Sequence, residues 1–410
     1  MDEAIRLVNP TTPEAVAEPA AVLAPVLASL RDGFRSEPMP SAAVRRERLD
    51  RLDAMVRSNR ERIAAAAHAD FGHRAATETE LIEIAPLLAE IRHARAHLGR
   101  WMRPERRGKA LEFFVLKNRV LYQPLGVIGI LSPWNYPLLL SLGPLVDVLA
   151  AGNRAMLKPS ELSPQVSALL AEMIAATFAA DEVAVVTGGA DIGAAFAGLA
   201  FDHLVFTGST AVGRKVMAAA APNLTPLTRE LGGKSPALIA PGAAIGAAAK
   251  AIAFGKFLNA GQTCIAPDYV LVPEAEREAL VAALLGRIAE AYPVARSGRD
   301  YTSLISPRHA ERLRGALAEA EARGARLLQP PGFVLPPSDR ALVPTLVLDL
   351  PDDTLLAREE IFGPVLPIFG YGHLDDALAR IAGAGRPLAF YLFSQDAALA
   401  ADVLARTRSG

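Results

Sequence analysis

The sequence has a single cysteine, Cys264, in 410 residues. That excludes an intramolecular disulfide framework and any zinc or iron–sulfur site built from several thiolates. No metal site is expected, and a reducing compartment, the cytoplasm, is the natural setting. Neither sign of charge is in surplus: 43 Lys+Arg against 44 Asp+Glu leave a net charge of −1. The overall balance therefore favours neither nucleic acid nor an anionic membrane as a partner. Long apolar runs are also missing. The most apolar stretch, Tyr136 to Leu149, is broken by Ser141, Gly143, Pro144 and Asp147 and is too short to span a bilayer. The opening MDEAIRLVNP is acidic and carries no apolar core, which reads against a signal peptide. Aromatics are few, at 6%, yet 51% of the residues are hydrophobic, so wholesale disorder is excluded. At about 150 residues per domain the length suggests two to three domains.

Residues 1–40 hold several prolines and read as weakly structured. From Ser41 a helical spacing begins, with Val44, Leu49, Leu52, Val56 and Ile63, and Gly72 is expected to end that helix. A second helix carries Leu81, Ile84, Leu88, Ile91, His97 and Leu98 near one face, with its arginines on a solvated face. Pro104 and Gly108 mark a break, and LEFFVLKNRVLYQP (111–124) reads as two short strands. The texture then changes. LGVIGIL is a continuous apolar run suited to a strand buried on both faces. Helices (138–151 and 164–179, then a short one) alternate after it with the strands RAMLKPS, VAVVTGG and HLVFTGS. Such alternation predicts a parallel, doubly wound, nucleotide-binding sheet. After Glu230 a second α/β alternation follows: helix 243–259, strand YVLVP, helices 274–291 and 307–323, then TLVLDL, VLPIFGY and LAFYLF.

Five segments carry candidate chemistry. A lone cysteine is more often an inert buried hydrophobe than a nucleophile. Cys264, however, follows a helical stretch in NAGQTCIAPDY, where Gly261 and polar neighbours suit close approach by a substrate. Glu230 in ELGGKSP, 34 residues earlier, reads as a surface carboxylate or as a general base for water. In FTGST (206–210) the glycines Gly208 and Gly213 are five apart, so this is not the three-glycine dinucleotide fingerprint. Ser209 reads as an N-cap or as a phosphate ligand at a helix N-terminus. Lys158 and Glu161 in KPSE fall at the carboxyl edge of a parallel strand, where a lysine and a carboxylate suit ribose hydroxyls. A carboxylate there leans toward NAD over NADP. The alternative for KPSE is a plain turn. Asn135 in PWNYP is either an oxyanion donor or a turn stabiliser.

Together, PWNYP, KPSE, FTGST, ELGGKSP, GQTCIAPDY and EEIFGPVLPI resemble, in order and spacing, the motifs of the NAD(P)-dependent aldehyde dehydrogenase family. The resemblance runs from about residue 41 to the end. DFGHR (70–74), TCIAPDY and LAFYLFS are similar to the class 3 branch (fatty or aromatic aldehydes), and to coniferyl aldehyde dehydrogenases in particular. The resemblance implies two doubly wound α/β domains plus a partial β bridging arm. Residues 1–105 and 125–231 would form a discontinuous NAD(P)-binding domain, 106–124 the bridging strands and 232–410 the catalytic domain. It implies oxidation of an aldehyde, aromatic such as coniferaldehyde or medium- to long-chain aliphatic, to the carboxylic acid. Cys264 would form the thiohemiacetal and thioacyl enzyme, Asn135 would hold the oxyanion and Glu230 would activate water. Lys158 and Glu161 would bind the adenosine ribose of NAD, or of NADP as the alternative. Gly208, Ser209 and Gly213 would receive the pyrophosphate, Glu360 the nicotinamide ribose and Phe362 the nicotinamide ring. A homodimer is implied for the full-length form.

The family pattern continues beyond LARTRSG with a further strand, a glycine-rich segment and the rest of the bridge. The chain therefore reads as C-terminally truncated by roughly a seventh, and an unpaired sheet edge and an unstable dimer are expected from that. Two alternatives follow: an inactive fragment that retains nucleotide binding, and a CoA-acylating dehydrogenase, against which Glu230 argues.

Overall fold

Residues 19–108 and 116–410 are described in a computed structural model. The chain divides into two compact units. One comprises residues up to 67 together with 79–230; the other comprises 68–78 together with 231–410.

The first unit opens with a helix, Pro19–Ser36, where weak structure was expected. Leu23, Leu27 and Leu30 form an apolar stripe at helical spacing and are buried. That burial outweighs the breaker Pro25 inside the helix. Residues 1–18 lie outside the described residues. The helix expected from Ser41 to Gly72 is two helices, Ala42–Ser58 and Arg60–Phe71. Ser41 caps the first, its Oγ accepting the Val44 N–H. The side chain of Asn59 donates back to the Met55 carbonyl at the junction. The next helix also departs from the simple pattern. A π-helical turn, Glu80–Ile84, precedes Ala85–Trp101. The extra residue per turn rotates the face, so Leu81 is exposed and Glu83 is buried instead. Glu83 accepts the N–H groups of Leu138 and Leu139 and so anchors the start of helix Leu139–Ala151.

Of the strands expected in 111–124, the first falls in 109–115, outside the described residues. The second is present: β1 (Glu105–Arg106) pairs antiparallel with β2 (Arg119–Val120). The sheet of this unit holds β3 (Val127–Leu131), β4 (Arg154–Lys158), β5 (Val183–Val185), β6 (His203–Gly208) and β7 (Leu227–Leu231), ordered β5-β4-β3-β6-β7. The pairings among β3, β4, β5 and β6 are parallel. One face buries Ile128, Ile130, Ala155 and Leu157 under the helices 42–58, 85–101, 139–151 and 164–177. Helix 19–36 packs against β4 and against helix Ala190–Ala197.

The second unit contains β8 (Pro236–Ile239), β9 (Tyr269–Pro273), β10 (Arg326–Leu328), β11 (Thr345–Leu348), β12 (Val365–Tyr371) and β13 (Tyr391–Phe393). Their order is β10-β11-β12-β9-β8-β13. The short edge strand β10 is antiparallel to β11 and was not anticipated from the sequence. All other pairs are parallel. Alternation serves both faces: Ala237, Ile239, Val270 and Val272 meet helices 245–257 and 277–291. Leu238, Tyr269 and Leu271 pack with Leu378 and Val403 on the other side. Two α/β units with parallel sheets are therefore present. Among the described residues no helix is long and apolar enough to cross a membrane.

Candidate active site

In the first unit the candidates gather at the carboxyl edges of β4, β3 and β6, which lie side by side. Lys158 ends β4 and is buried, and its Nζ donates to Glu161 Oε2 at 2.7 Å. Burial pushes the Glu161 carboxyl up, but the Lys158 hydrogen bond and charge outweigh this and hold it below its ordinary range. Asp191 stands near enough to act on the same carboxyl. Asn135, in the loop after β3, is buried. Ser209 caps helix Thr210–Ala220, its Oγ accepting the Val212 N–H at 3.3 Å. Its N-cap reading is therefore correct, and the helix it caps follows β6 directly. Gly208 ends β6, and Gly213 is buried inside the helix.

Glu230, on the edge strand β7, is exposed and lines a cavity of about 700 Å³. Trp101, Ile128, Leu139, Leu140 and Pro144 give this cavity an apolar wall, and Glu90 and Asp147 add two carboxyls. Burial, and for Glu90 the negative charge of Asp147, push both carboxyls up; His93 pulls Asp147 partly back.

In the second unit Cys264 is half-buried in the turn between helix 245–257 and β9. The helix ends two residues earlier than expected, at Phe257, and Leu258–Gly261 is an irregular 3₁₀ turn. Tyr391 Oη donates to the carbonyl of Ile265, next to the cysteine, at 2.5 Å. Glu360 is largely buried, and its Oε1 accepts the Gly233 N–H at 3.0 Å. Burial pushes its carboxyl up, with the Gly233 hydrogen bond opposing. A Cβ on Gly232 would collide with this carboxylate, which accounts for the glycine after Leu231 in ELGGKSP. Phe362 adopts φ +49°, beside Gly363.

The sequence reading missed the residues that lock these segments together. Lys234 Nζ forms a buried ion pair with Asp268 Oδ2 and donates to the carbonyls of Leu356 (3.0 Å) and Glu359 (2.8 Å). Asp268 Oδ1 accepts the Ile361 N–H at 2.8 Å. Lys234 and Asp268 thus tie ELGGKSP and CIAPDY to EEIFGP. Their signal was faint: a lysine after two glycines, and an aspartate before a buried strand. Lys256 is also fully buried, and burial lowers its ammonium to about 8.

Two α/β units with parallel sheets are the frame of a doubly wound, nucleotide-binding enzyme, with candidate residues at the carboxyl edge of the first sheet and the single cysteine on an irregular turn of the second unit. The aldehyde dehydrogenase family profile matches residues 2–410, and the chain belongs to that family. It is an NAD(P)-dependent aldehyde dehydrogenase. The coniferyl aldehyde dehydrogenase of Pseudomonas sp. (strain HR199) is 47% identical over 370 residues, 90% of this chain and 76% of that protein. Among solved structures, Staphylococcus aureus AldH in a substrate-bound state superposes with a TM-score of 0.88 at 34% identity, covering 95% of this chain and 84% of that one. A Mycobacterium tuberculosis aldehyde dehydrogenase complexed with NAD+ gives 0.82 at 30% identity, with 95% and 81% covered.

The residues present fit a dinucleotide. Lys158 and Glu161 offer one donor and one acceptor at 2.7 Å, a set that matches vicinal ribose hydroxyls. The capped N-terminus of helix 210–220 offers main-chain N–H groups and the positive end of a dipole to a pyrophosphate.

Proposed function

We propose that this chain oxidises an aromatic aldehyde of the coniferaldehyde kind, or a medium- to long-chain aliphatic one, with NAD+ preferred over NADP+. The cavity at Glu230 supports this substrate class, because its volume and apolar wall suit an aryl or alkyl body, with Asn135 and Cys264 outside its lining. The likeness to a coniferyl aldehyde dehydrogenase supports the aromatic reading. Glu161, with Asp191 near it, supports NAD+, because two carboxylates disfavour a 2′-phosphate.

In this proposal the Cys264 thiolate adds to the aldehyde carbon, and the carbonyl π electrons move onto oxygen. The Asn135 side-chain N–H and the Cys264 backbone N–H hold that oxyanion. The bound dinucleotide supplies the acceptor for the hydride that leaves this carbon. Glu230 then takes a proton from water, which attacks the thioester carbonyl. The C–S bond breaks, the acid departs and the thiolate is restored. Lys158 and Glu161 would bind the adenosine ribose; Gly208, Ser209 and Gly213 the pyrophosphate; Glu360 the nicotinamide ribose; and Phe362 the nicotinamide ring. The first unit would be the cofactor domain, 106–124 part of a dimer bridge and the second unit the catalytic domain. The single cysteine suits the cytoplasm.

The test is NADH formation from coniferaldehyde, benzaldehyde and octanal by the purified chain, with Cys264→Ala as control. Turnover that disappears in the variant is expected. Oxidation that survives Cys264→Ala, or NAD+ binding with no turnover of any aldehyde, would overturn the proposal, and the latter would favour an inactive nucleotide-binding fragment.

A further inference from the structure

Residues 68–78 belong to the second unit although the chain on both sides of them belongs to the first. Within the second unit this segment makes specific contacts beneath the cysteine turn. Glu78 is buried. Its Oε1 accepts the Asn259 backbone N–H at 2.5 Å, and its Oε2 accepts the Thr302 hydroxyl. The next residue, Ser303, donates its N–H to the His73 carbonyl at 2.9 Å.

Asn259 is the first of three consecutive left-handed residues, with φ of +52° at Asn259, +50° at Ala260 and +73° at Gly261. Asparagine and glycine accept that region, but alanine resists it, because its Cβ crowds the following carbonyl. Such a turn persists only where its surroundings over-determine it. Here they do so at both ends. At the entrance stands the Glu78 carboxyl. At the exit Gln262 Nε2 donates to the carbonyls of Asn259 (3.0 Å) and Ser303 (3.1 Å), and Gln262 Oε1 accepts the Ile305 N–H at 2.9 Å. Any Cβ on Gly261 would strike the Gly363 carbonyl, so the turn is held against the Phe362–Gly363 backbone as well. Cys264 follows this turn directly.

We infer that Glu78 is a positioning residue for Cys264: it fixes the left-handed turn Asn259–Gly261 and so sets the direction in which the thiol is presented. The inference rests on the proposed role of Cys264 as nucleophile.

The chain has one cysteine, so alkylation by iodoacetamide reports Cys264 alone. Four variants of the full chain are compared: Glu78→Ala, Glu78→Gln, Thr302→Val and Cys264→Ala. Alkylation rate, kcat and the KM for NAD+ are measured, with far-UV circular dichroism to confirm folding. Glu78→Ala is expected to slow alkylation and to lower kcat by about tenfold to a hundredfold, with KM for NAD+ unchanged. Glu78→Gln, which keeps an acceptor for the Asn259 N–H, should recover most of both rates. Thr302→Val should slow both to a smaller extent. A folded Glu78→Ala that is alkylated and turns over at the parent rates overturns the inference. If Glu78→Ala does not fold, parent rates in Thr302→Val overturn it instead. Turnover that survives Cys264→Ala removes the nucleophile reading itself, whereas a dead Cys264→Ala beside a parent-like Glu78→Ala removes only the role of Glu78.

Discussion

Replacing Lys234 by methionine removes one charge from a place that water barely reaches. The Lys234 and Asp268 side chains are 8% and 4% exposed. Methionine keeps most of the lysine stem, so little packing is lost. What remains is the Asp268 carboxylate, still buried, with the Ile361 N–H on Oδ1, no ion-pair partner on Oδ2, and only the more distant charges of Lys256 and Arg312 acting on it. Deleting one member of such a pair costs about 3–5 kcal/mol, mostly the penalty of the uncompensated charge rather than the worth of the pair. At about 2–4 °C per kcal/mol for a unit of this size, the melting midpoint should fall by about 6–20 °C. Asp268→Asn keeps an acceptor for Ile361 and removes the stranded charge. The double variant Lys234→Met/Asp268→Asn should therefore lose less than the sum of the two singles, by about 1–3 kcal/mol. Urea and thermal unfolding followed by circular dichroism give all four corners of the cycle. A single Lys234→Met loss below about 1 kcal/mol, or a double equal to the sum, would refute the reasoning.

Lys256 gives a pH signature. Its folded pKa is lowered from 10.5 to about 8, so between those values the unfolded chain binds more protons and stability rises with pH. Lys256→Met should abolish that rise and be more stable than the parent at pH 7, by up to about 3 kcal/mol (10.5 less about 8, at about 1.4 kcal/mol per unit); urea midpoints from pH 7 to 10.5 check this. Glu161→Gln should raise the kcat/KM ratio of NADP+ to NAD+ by about tenfold, the equivalent of about 1.4 kcal/mol, read from steady-state kinetics with both cofactors. Gly143 faces Glu90 in the cavity, and a Cβ there would lie 3.0 Å from Glu90 Oε2. Gly143→Val should therefore lower kcat/KM for coniferaldehyde by about 10- to 200-fold while sparing propanal, measured as NADH formation.

The parallel strands were legible because burial on both faces forces continuous apolar runs: Val127–Leu131 and Tyr269–Pro273 read directly. Their helices were also legible where apolar residues kept a 3.6-residue period. The misses have physical causes. Helix 19–36 was obscured by prolines, although its leucine stripe was present. The π-helical turn at 80–84 breaks the period on which the burial of Leu81 was judged. Strand β10 is three residues long with a charged start, too short to show a pattern. Among the candidates, Lys158 could be placed because it closes a strand and Ser209 because it follows one, and strand ends are visible. Lys234, Asp268 and Glu78 could not, because a buried charge looks like a surface one until its partner is known, and the partners lie far along the chain.

The passage of residues 68–78 into the second unit also has a cost in time. Glu78 meets Asn259 across 181 residues and Thr302 across 224. At about 5–20 residues per second, a ribosome needs about 10–40 s to synthesise the chain between Glu78 and Asn259. All of 79–230 emerges in that interval, so the first unit has its whole sequence while 68–78 still waits as an open loop. Closing that loop is a late, non-local event of the slow kind. A fragment beginning at residue 231 would lack the acceptor for Asn259 altogether. The cysteine turn therefore takes its final shape only after Glu78 has met Asn259 and Thr302, and nascent chains carry an unformed turn until then.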